Sequence, residues 1–313
     1  MTGDQWATHL ARYLALRRAL GFSMRPQEAL LRAFLHYLDA HPVARPAVAE
    51  VAVRWAATTG GHNHAQRLSV VRGFLAAVRA VDPMVGVPGP GLVHTARRPR
   101  PHLYTATEVH ALMEAAKDLG PRGSLRPFTV ATVIGLLASC GLRASEAIGV
   151  DDADVDLTGT PPCLQVRHTK FRKSRVVPLH PTTAVALQQY RATRARLGYD
   201  HLCDAFFVSE RGRRLTYHTL ARAVVGLARR LGLRGPVGTR GASLHHLRHT
   251  FAVARLAAWT RAGLTVRDHL PSLAVYLGHV RPQETYWYLT AAPVVLEPAA
   301  DRFEAFADRR TTS

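Results

Sequence analysis

The sequence predicts a mainly α-helical protein with a small antiparallel β-sheet, arranged in two domains. Apolar residues recur every three or four positions through most of the chain, which is the period of helices with one buried face. Residues 163–179 instead suggest two short strands around a polar turn, as in a β-hairpin. The 313 residues suffice for two domains that each bury a core, and a Pro-, Gly- and Arg-rich segment at residues 83–103 separates them.

Residues 1–82 predict a small helical bundle. Two helices fall within residues 6–38, where glycine and proline interrupt the apolar period. Two more, at residues 48–57 and 65–81, are separated by the turn composition Thr-Thr-Gly-Gly. Residues 83–103 have no apolar period, so we expect them to form a basic linker.

Residues 104–298 predict a second domain that is helical with a small sheet. A capping-box pattern at residues 105–108 begins one helix, and residues 126–140 are a largely apolar helix suited to a core. In the hairpin at residues 163–179, Pro178 predicts an edge strand or a strand end. Further helices are predicted from residue 145, at 181–197, 216–231, 244–259 and 267–276, near Tyr288 and near 297–308, with a tail at 299–313.

The composition is strongly basic. There are 41 Lys and Arg against 22 Asp and Glu, a formal net charge of +19 and a pI of about 11.1. This balance is typical of proteins that bind polyanions, so nucleic acid is the leading partner; an arginine-rich proteome is the alternative explanation. The linker at residues 83–103 is then either a plain solvated tether or a strap along a phosphate backbone between domains on opposite sides of a duplex.

The cysteines and the apolar runs exclude several classes of protein. Cys140, Cys163 and Cys203 are odd in number and lack C-x-x-C spacing, so neither a disulfide framework nor a zinc site is indicated. The N-terminus carries no signal-peptide pattern, and no apolar run approaches the length of a membrane span. We therefore expect a soluble protein of a reducing cytoplasm, with no membrane partner.

Residues 243–288 carry a sparse set of side chains suited to phosphoryl transfer. His245 and Arg248 are three positions apart on a predicted helix, so an imidazole and a guanidinium can converge on one phosphate. Tyr288 follows His279 by nine residues. A phenol with an ordinary pKa of about 10 is a poor nucleophile unless cations stabilise the phenolate. The pattern fits a site with a tyrosine nucleophile.

Five elements follow one another in the second domain, and in this order and spacing they resemble the tyrosine site-specific recombinases. That family comprises phage integrases, Xer-type resolvases and transposon integrases. Each element alone occurs by chance in many chains, so the resemblance rests on their joint order. It covers residues 104–298, and residues 1–82 with the linker are similar to the family's core-binding domain. The elements are Gly141-Leu-Arg-Ala-Ser-Glu146, the hairpin with Lys170, His245-His-Leu-Arg248, Leu277-Gly-His279 and Tyr288.

The resemblance implies a role for each matched residue. Arg143 and Arg248 would bind the non-bridging oxygens of the scissile phosphate. His279 would donate a hydrogen bond to that phosphate, unless it only caps a helix, and His245 would contact the phosphate and accept the tyrosine proton. Glu146 matches an acidic residue that orients a guanidinium or imidazole, with a simple capping or surface carboxylate as the alternative.

Lys170 matches the family's hairpin lysine, which would act as general acid toward the 5′-oxygen leaving group. Arginine cannot replace lysine in that role because the guanidinium does not release its proton. Lys173 is the rival candidate. The match departs from the family's pattern at Thr169 and Phe171, which stand where the family has glycines.

The nucleophile has three nearby candidates, Tyr276, Tyr286 and Tyr288. In the family the tyrosine falls nine residues after the histidine matched by His279, which selects Tyr288. Side chains two positions apart on a helix point about 200° apart, so Tyr286 and Tyr288 cannot face the same phosphate. Trp287 is expected to serve packing.

The implied reaction is attack by tyrosine on a DNA phosphodiester, giving a 3′-phosphotyrosyl link and a free 5′-hydroxyl that a partner strand's hydroxyl later replaces. The link keeps the ester energy, so we expect no metal, ATP or other cofactor. The implied partner is double-stranded DNA, bound by a homotetramer or hetero-tetramer on two sites. Whether partner recombinases are required stays open, as does docking of the segment after Tyr288 in cis or in trans.

A second, shorter resemblance bears on the biological role. Residues 286–291 resemble transposon-borne integrases, including recombinases encoded as trios of adjacent genes, which suggests integration or excision of a mobile element at a bacterial nucleoid. Two alternatives use the same fold or chemistry. One is a type IB topoisomerase, which acts without sequence choice, and the other is a catalytically inactive or accessory DNA-binding member of the family.

Overall fold

The computed structural model describes residues 1–58, 63–92, 100–167, 174–200, 202–279 and 283–290. The chain divides into two compact units, Met1–Pro99 and Arg100–Ser313. Lys170 and Lys173 lie outside the described residues, as does the helix expected near residues 297–308. The described part is mainly helical with a small antiparallel sheet, which confirms the predicted fold class.

The described part of the first unit is the predicted helical bundle. Its core is built from aromatic and aliphatic side chains at helical spacing, and the rings of Phe34 and Trp55 meet edge to face with centroids 5.4 Å apart. Phe74 packs between Trp6 and Tyr13. The helices are α1 (Gly3–Ala19), α2 (Arg25–Ala40), α3 (Val48–Ala57) and α4 (His64–Arg79).

The beginning of the predicted linker packs on the first unit. Val85 is buried in the core of that unit, and the Gly86 N–H donates to the Arg45 carbonyl oxygen at 2.9 Å. Arg72 donates from Nε and Nη2 to the carbonyl oxygens of residues 88 and 89, at 3.0 and 2.6 Å. Through residue 89, therefore, the main chain is bound to this unit.

The second unit surrounds the apolar helix predicted at residues 126–140. Its side chains at Val133, Ile134 and Leu137 are fully buried in the larger core of this unit. A smaller core, which includes Phe251 and Tyr288, joins the last three helices. The helices are α5 (Ala106–Ala116), α6 (Arg126–Cys140), α7 (Ala144–Gly149), α8 (Pro181–Arg196), α9 (Tyr217–Arg230), α10 (Leu244–Arg261), α11 (Val266–Leu277) and α12 (Gln283–Thr290).

The sheet of the second unit has, in the described residues, three antiparallel strands in the order β1 (Val155–Asp156), β2 (Cys163–Val166) and β3 (Arg175–Pro178). The β2–β3 pair confirms the predicted hairpin, and Val166 lies opposite Arg175. Pro178 ends the edge strand, as predicted, because proline cannot donate to the ladder. No described helix is both long and apolar enough to cross a membrane.

Candidate active site

The C-terminal end of α11 binds three arginines from three other elements. The last carbonyls of a helix have no partner within the helix and form the negative end of its dipole, so they attract cations. The carbonyl oxygens of residues 276, 277 and 278 accept hydrogen bonds from Arg175 (2.8 Å), Arg248 (2.7 Å) and Arg143 (3.3 Å), respectively. This helix end therefore brings β3, α10 and the start of α7 to one point.

The carboxylate of Glu146 lies among the same three guanidiniums. Arg143 donates to it from Nη1 (2.7 Å) and from its backbone N–H (2.9 Å), and Arg175 donates to both oxygens (3.2 and 2.8 Å). Arg248 Nη1 is 3.8 Å from Oε2. Burial raises the pKa of the Glu146 carboxyl, but these hydrogen bonds and charges outweigh burial and hold the pKa below its usual value.

Arg248 is the most deeply buried of the three arginines, with 1% of its side chain exposed. Burial lowers the pKa of its guanidinium and the charge of Arg143 adds to this, whereas a hydrogen bond with Tyr288 and the charge of Glu146 favour the charged form. A second anchor is the carbonyl oxygen of Gly141, 2.9 Å from Nη1. An arginine stays protonated even here, so the site contains a buried, fixed cation.

Tyr288 lies beside this cation, buried on α12 with 3% of its surface exposed. Its ring packs against His249 (centroids 5.2 Å apart) and is nearly parallel to the ring of His279 (5.8 Å, 19°). His249 in turn contacts the ring of His245, 4.4 Å away. Tyr286, the rival two residues earlier, is 51% exposed. Of these two tyrosines, Tyr288 is the one enclosed by imidazoles and a guanidinium.

His279 is a neutral imidazole at neutral pH. Burial, followed by the charges of Arg248 and Arg143, lowers its pKa to about 4. Its Nδ1 lies 2.7 Å from the hydroxyl of Thr285, which is itself buried. When that hydroxyl donates to Nδ1, the proton of the neutral ring is on Nε2, and this N–H can donate to a ligand.

The structure brings most of the predicted residues together. The guanidiniums of Arg143 and Arg248 lie 2.7 and 3.8 Å from the Glu146 carboxylate, the ring of Tyr288 contacts that of His279, and the ring of His249 contacts those of His245 and Tyr288. Lys170 lies outside the described residues. Among the described residues, no group of three or more His, Cys, Asp or Glu could hold a metal ion.

Two residues that hydrogen-bond to side chains of the site, Arg175 and Thr285, were not singled out from the sequence. Arg175 belongs to the same hairpin pattern as Lys170, and its distance of 29 residues from Glu146 hides their contact. Thr285 is three positions before Tyr288 in α12, the spacing that places two side chains on one helix face. That spacing was the available signal for Thr285.

Three comparisons relate the chain to known proteins. Residues 103–293 match the model of the phage integrase family. The putative integrase/recombinase y4rB of Sinorhizobium fredii is 36% identical over 307 residues, 96% of this chain and 97% of that protein. The tyrosine recombinase XerC of Roseiflexus sp. is 30% identical over 254 residues, 75% and 72% of the two chains. The Tn1549 transposon integrase, solved in complex with transposon right end DNA, shares the fold, with a TM-score of 0.67, 16% identity and coverage of 98% of this chain and 100% of that chain.

Proposed function

The chain belongs to the phage integrase family of tyrosine recombinases, enzymes of site-specific DNA recombination, and we propose that Tyr288 is its nucleophile. The observation that carries the proposal is the enclosure of Tyr288 by two imidazoles and the buried guanidinium of Arg248. A phosphate bound at this guanidinium meets a fixed positive charge beside the ring of Tyr288.

The first chemical step is attack of Tyr288 Oη on the phosphorus of a DNA phosphodiester. The Oη–P bond forms and the bond from phosphorus to the 5′-oxygen breaks, which leaves a 3′-phosphotyrosyl link. The phenol proton goes to His245, and the 5′-oxygen takes a proton from Lys170, the two roles that the family resemblance implies. In the second step the 5′-hydroxyl of a partner strand attacks the phosphorus and the bond from phosphorus to Tyr288 Oη breaks. Lys170 takes the proton of that hydroxyl and His245 returns a proton to Tyr288, so the ester energy is kept and no ATP is consumed.

The arginines and His279 stabilise the charge that builds on the phosphate oxygens. Arg143 and Arg248 would each bind non-bridging oxygens, and forked guanidiniums match such oxygens well. His279 would add a hydrogen bond from Nε2, since its contact with Thr285 and its low pKa support a neutral donor. Glu146 orients Arg143 through two hydrogen bonds and is a positioning residue.

The proposed partner is double-stranded DNA, cut by four protomers on two sites. The four protomers are either copies of this chain or a mixture with partner recombinases. We further propose that the role is integration or excision of a mobile element at a bacterial nucleoid. The resemblance of residues 286–291 to transposon-borne integrases supports this role. The 36% sequence identity to a protein named a putative integrase/recombinase supports it as well.

The test is covalent trapping on nicked suicide duplexes tiled across the DNA that flanks the gene, in EDTA. Wild type is expected to form an adduct that survives denaturing gel electrophoresis, and Tyr288→Phe is expected to form none. Tyr286→Phe is the matched control, because it removes a hydroxyl from the same helix at an exposed position and should leave adduct formation intact. An adduct that persists in Tyr288→Phe sinks the assignment.

Two further outcomes separate the alternatives. Relaxation of supercoiled plasmids that lack the flanking DNA would identify a type IB topoisomerase, which acts without sequence choice. Tight binding to a tiled duplex with no adduct, alone or with added partner recombinases, would identify an accessory DNA-binding protein.

A further inference from the structure

We propose that Arg175 is a positioning residue that balances the charge of Glu146, so that Arg143 keeps its own charge for the phosphate. The inference rests on the proposed function, because it concerns the same phosphate site. It assigns a role to a residue of β3 that lies outside the set of side chains expected to contact DNA or the nucleophile.

The geometry of Arg175 fits a neutralising role. Its guanidinium donates to both oxygens of Glu146, and Nε donates to the Tyr276 carbonyl oxygen at 2.8 Å, so its donor edges are directed at protein groups. Only 13% of its side chain is exposed, compared with 26% for Arg143. Arg175 is thus committed to Glu146, whereas Arg143 is the more accessible cation.

The pairing of Arg175 with Glu146 affects the positive charge that the site offers to a phosphate. In the described part of the site, three guanidiniums surround one carboxylate, so the set carries two net positive charges (3 − 1 = 2). Arg143 Nη1 is 2.7 Å from Glu146 and Arg248 Nη1 is 3.8 Å away, so without Arg175 the buried carboxylate would be balanced mainly by Arg143 and would offset more of the charge of Arg143. A phosphate whose negative charge increases in the transition state would then meet a weaker positive field.

Arg175 also supports the second anchor of Arg143. A methyl group at Gly278 would come within 2.8 Å of Arg175 Nη1, so this guanidinium packs directly on the main chain of Gly278. The Gly278 carbonyl oxygen accepts from Arg143 Nη2, and the next residue is His279. One side chain from β3 therefore contacts both groups that fix Arg143, the carboxylate and the helix end.

The test uses the full chain and suicide duplexes that wild type cleaves, with single-turnover cleavage rates as readout. Arg175→Gln removes the charge, and Arg175→Lys keeps it without the fork. Arg167→Gln is the matched control, since Arg167 flanks the same hairpin loop on the opposite side and pairs with Asp154. Each variant is first checked for a wild-type circular-dichroism spectrum and cooperative unfolding.

Two modified duplexes divide the outcomes. A methylphosphonate replaces one non-bridging oxygen by a methyl group and removes the phosphate charge, whereas a 5′-bridging phosphorothiolate supplies a leaving group that needs no proton donor. On the normal duplex, Arg175→Gln should be slower by up to about 100-fold, the scale of losing a side chain that orients a ligand-binding group, with Arg175→Lys intermediate. On the methylphosphonate the loss should shrink below about 10-fold, while on the phosphorothiolate it should persist.

A double variant tests the charge balance directly. Glu146→Gln removes the carboxylate that Arg175 neutralises, so Arg175→Gln combined with Glu146→Gln should cleave the normal duplex faster than Arg175→Gln alone. Arg167→Gln should match wild type on every duplex.

Three outcomes would overturn the role of Arg175. The first is that the phosphorothiolate restores the cleavage rate of Arg175→Gln, and the second is that Arg175→Gln loses the same factor on all three duplexes. The third is that the double variant cleaves no faster than Arg175→Gln alone. In each case wild type still forms its adduct, so the proposed function stands. If wild type forms no adduct on any duplex, the proposed function fails and the role of Arg175 with it.

Discussion

At the scale of single residues, the proton position on the His279 ring depends on a hydrogen bond to Thr285, a residue with no proposed catalytic role. Nδ1 of His279 is 2.7 Å from the Thr285 hydroxyl, and the ring is stacked on Tyr288. A neutral imidazole has two tautomers, and the hydrogen bond at one nitrogen selects which nitrogen carries the proton. When the Thr285 hydroxyl donates to Nδ1, His279 presents a donor at Nε2.

Thr285→Val should slow adduct formation by about 2- to 10-fold, because it deletes one hydrogen bond with a net value of about 0.5 to 1.5 kcal/mol while keeping the shape of the side chain. The measurement is the single-turnover rate of adduct formation. Thr260→Val is the control, since the Thr260 hydroxyl bonds to the Leu256 carbonyl oxygen. Equal rates for Thr285→Val and wild type would contradict the role.

The sequence identified the side chains of the site that follow the family's motif order but not those defined by distant contacts. Arg143, Arg248 and Tyr288 were selected by register, and the structure groups them. Arg175 was missed because its partners, Glu146 and the carbonyl of residue 276, are 29 and 101 positions away. Spacing within one helix or hairpin carries no information about such contacts.

At the scale of elements, two helix ends locate the buried arginine. α6 ends before Gly141 and α11 ends before Gly278, and both glycines are in the left-handed region, with φ of +61° and +67°. Arg248 donates to the carbonyl oxygens of Gly141 and Leu277, so it spans the two ends. Glycine adopts this conformation without the steric cost that a side chain adds.

Gly141→Ala should lower the free energy of unfolding by about 1 to 3 kcal/mol, because alanine is strained at positive φ and its methyl group would lie 2.3 Å from Phe251 Cδ1. Chemical denaturation monitored by circular dichroism measures this. Gly149→Ala is the control, since a methyl group at Gly149 meets nothing within 4 Å. Similar midpoints for the two variants would refute the explanation.

The elements themselves were predictable in proportion to their length. The long helices have enough turns for an apolar period to show, and the hairpin has a polar turn between apolar runs. Strand β1 was missed because two residues have no period. The packing of the start of the linker on the first unit was likewise not predicted. Val85 is buried in the core of that unit, and no local sequence pattern indicates this burial.

At the scale of the whole molecule, charge is the dominant feature. The net charge of the whole chain is +19. In the described part of the candidate site, arginines likewise outnumber acidic residues. A duplex carries condensed counter-ions that a basic protein releases on binding, and this release makes affinity depend on salt. The proposed function therefore has a signature that involves no particular base sequence.

Affinity for a labelled duplex of random sequence should fall about 10³- to 10⁵-fold between 50 and 200 mM salt, as expected for about six to ten phosphate contacts. Fluorescence anisotropy titrations at four salt concentrations give the slope. A binding constant that is unchanged across this range would contradict DNA binding dominated by phosphate contacts.

The end of α11 has a consequence for mutagenesis. Its hold on three arginines is made by main-chain oxygens, which every amino acid possesses. An alanine scan across residues 276 and 277 will therefore measure lost packing, since Leu277 is fully buried, and will leave the anchors in place. Side-chain substitution therefore cannot measure the contribution of these carbonyl oxygens. Replacing a backbone amide by an ester, which weakens the carbonyl oxygen as an acceptor, would measure it.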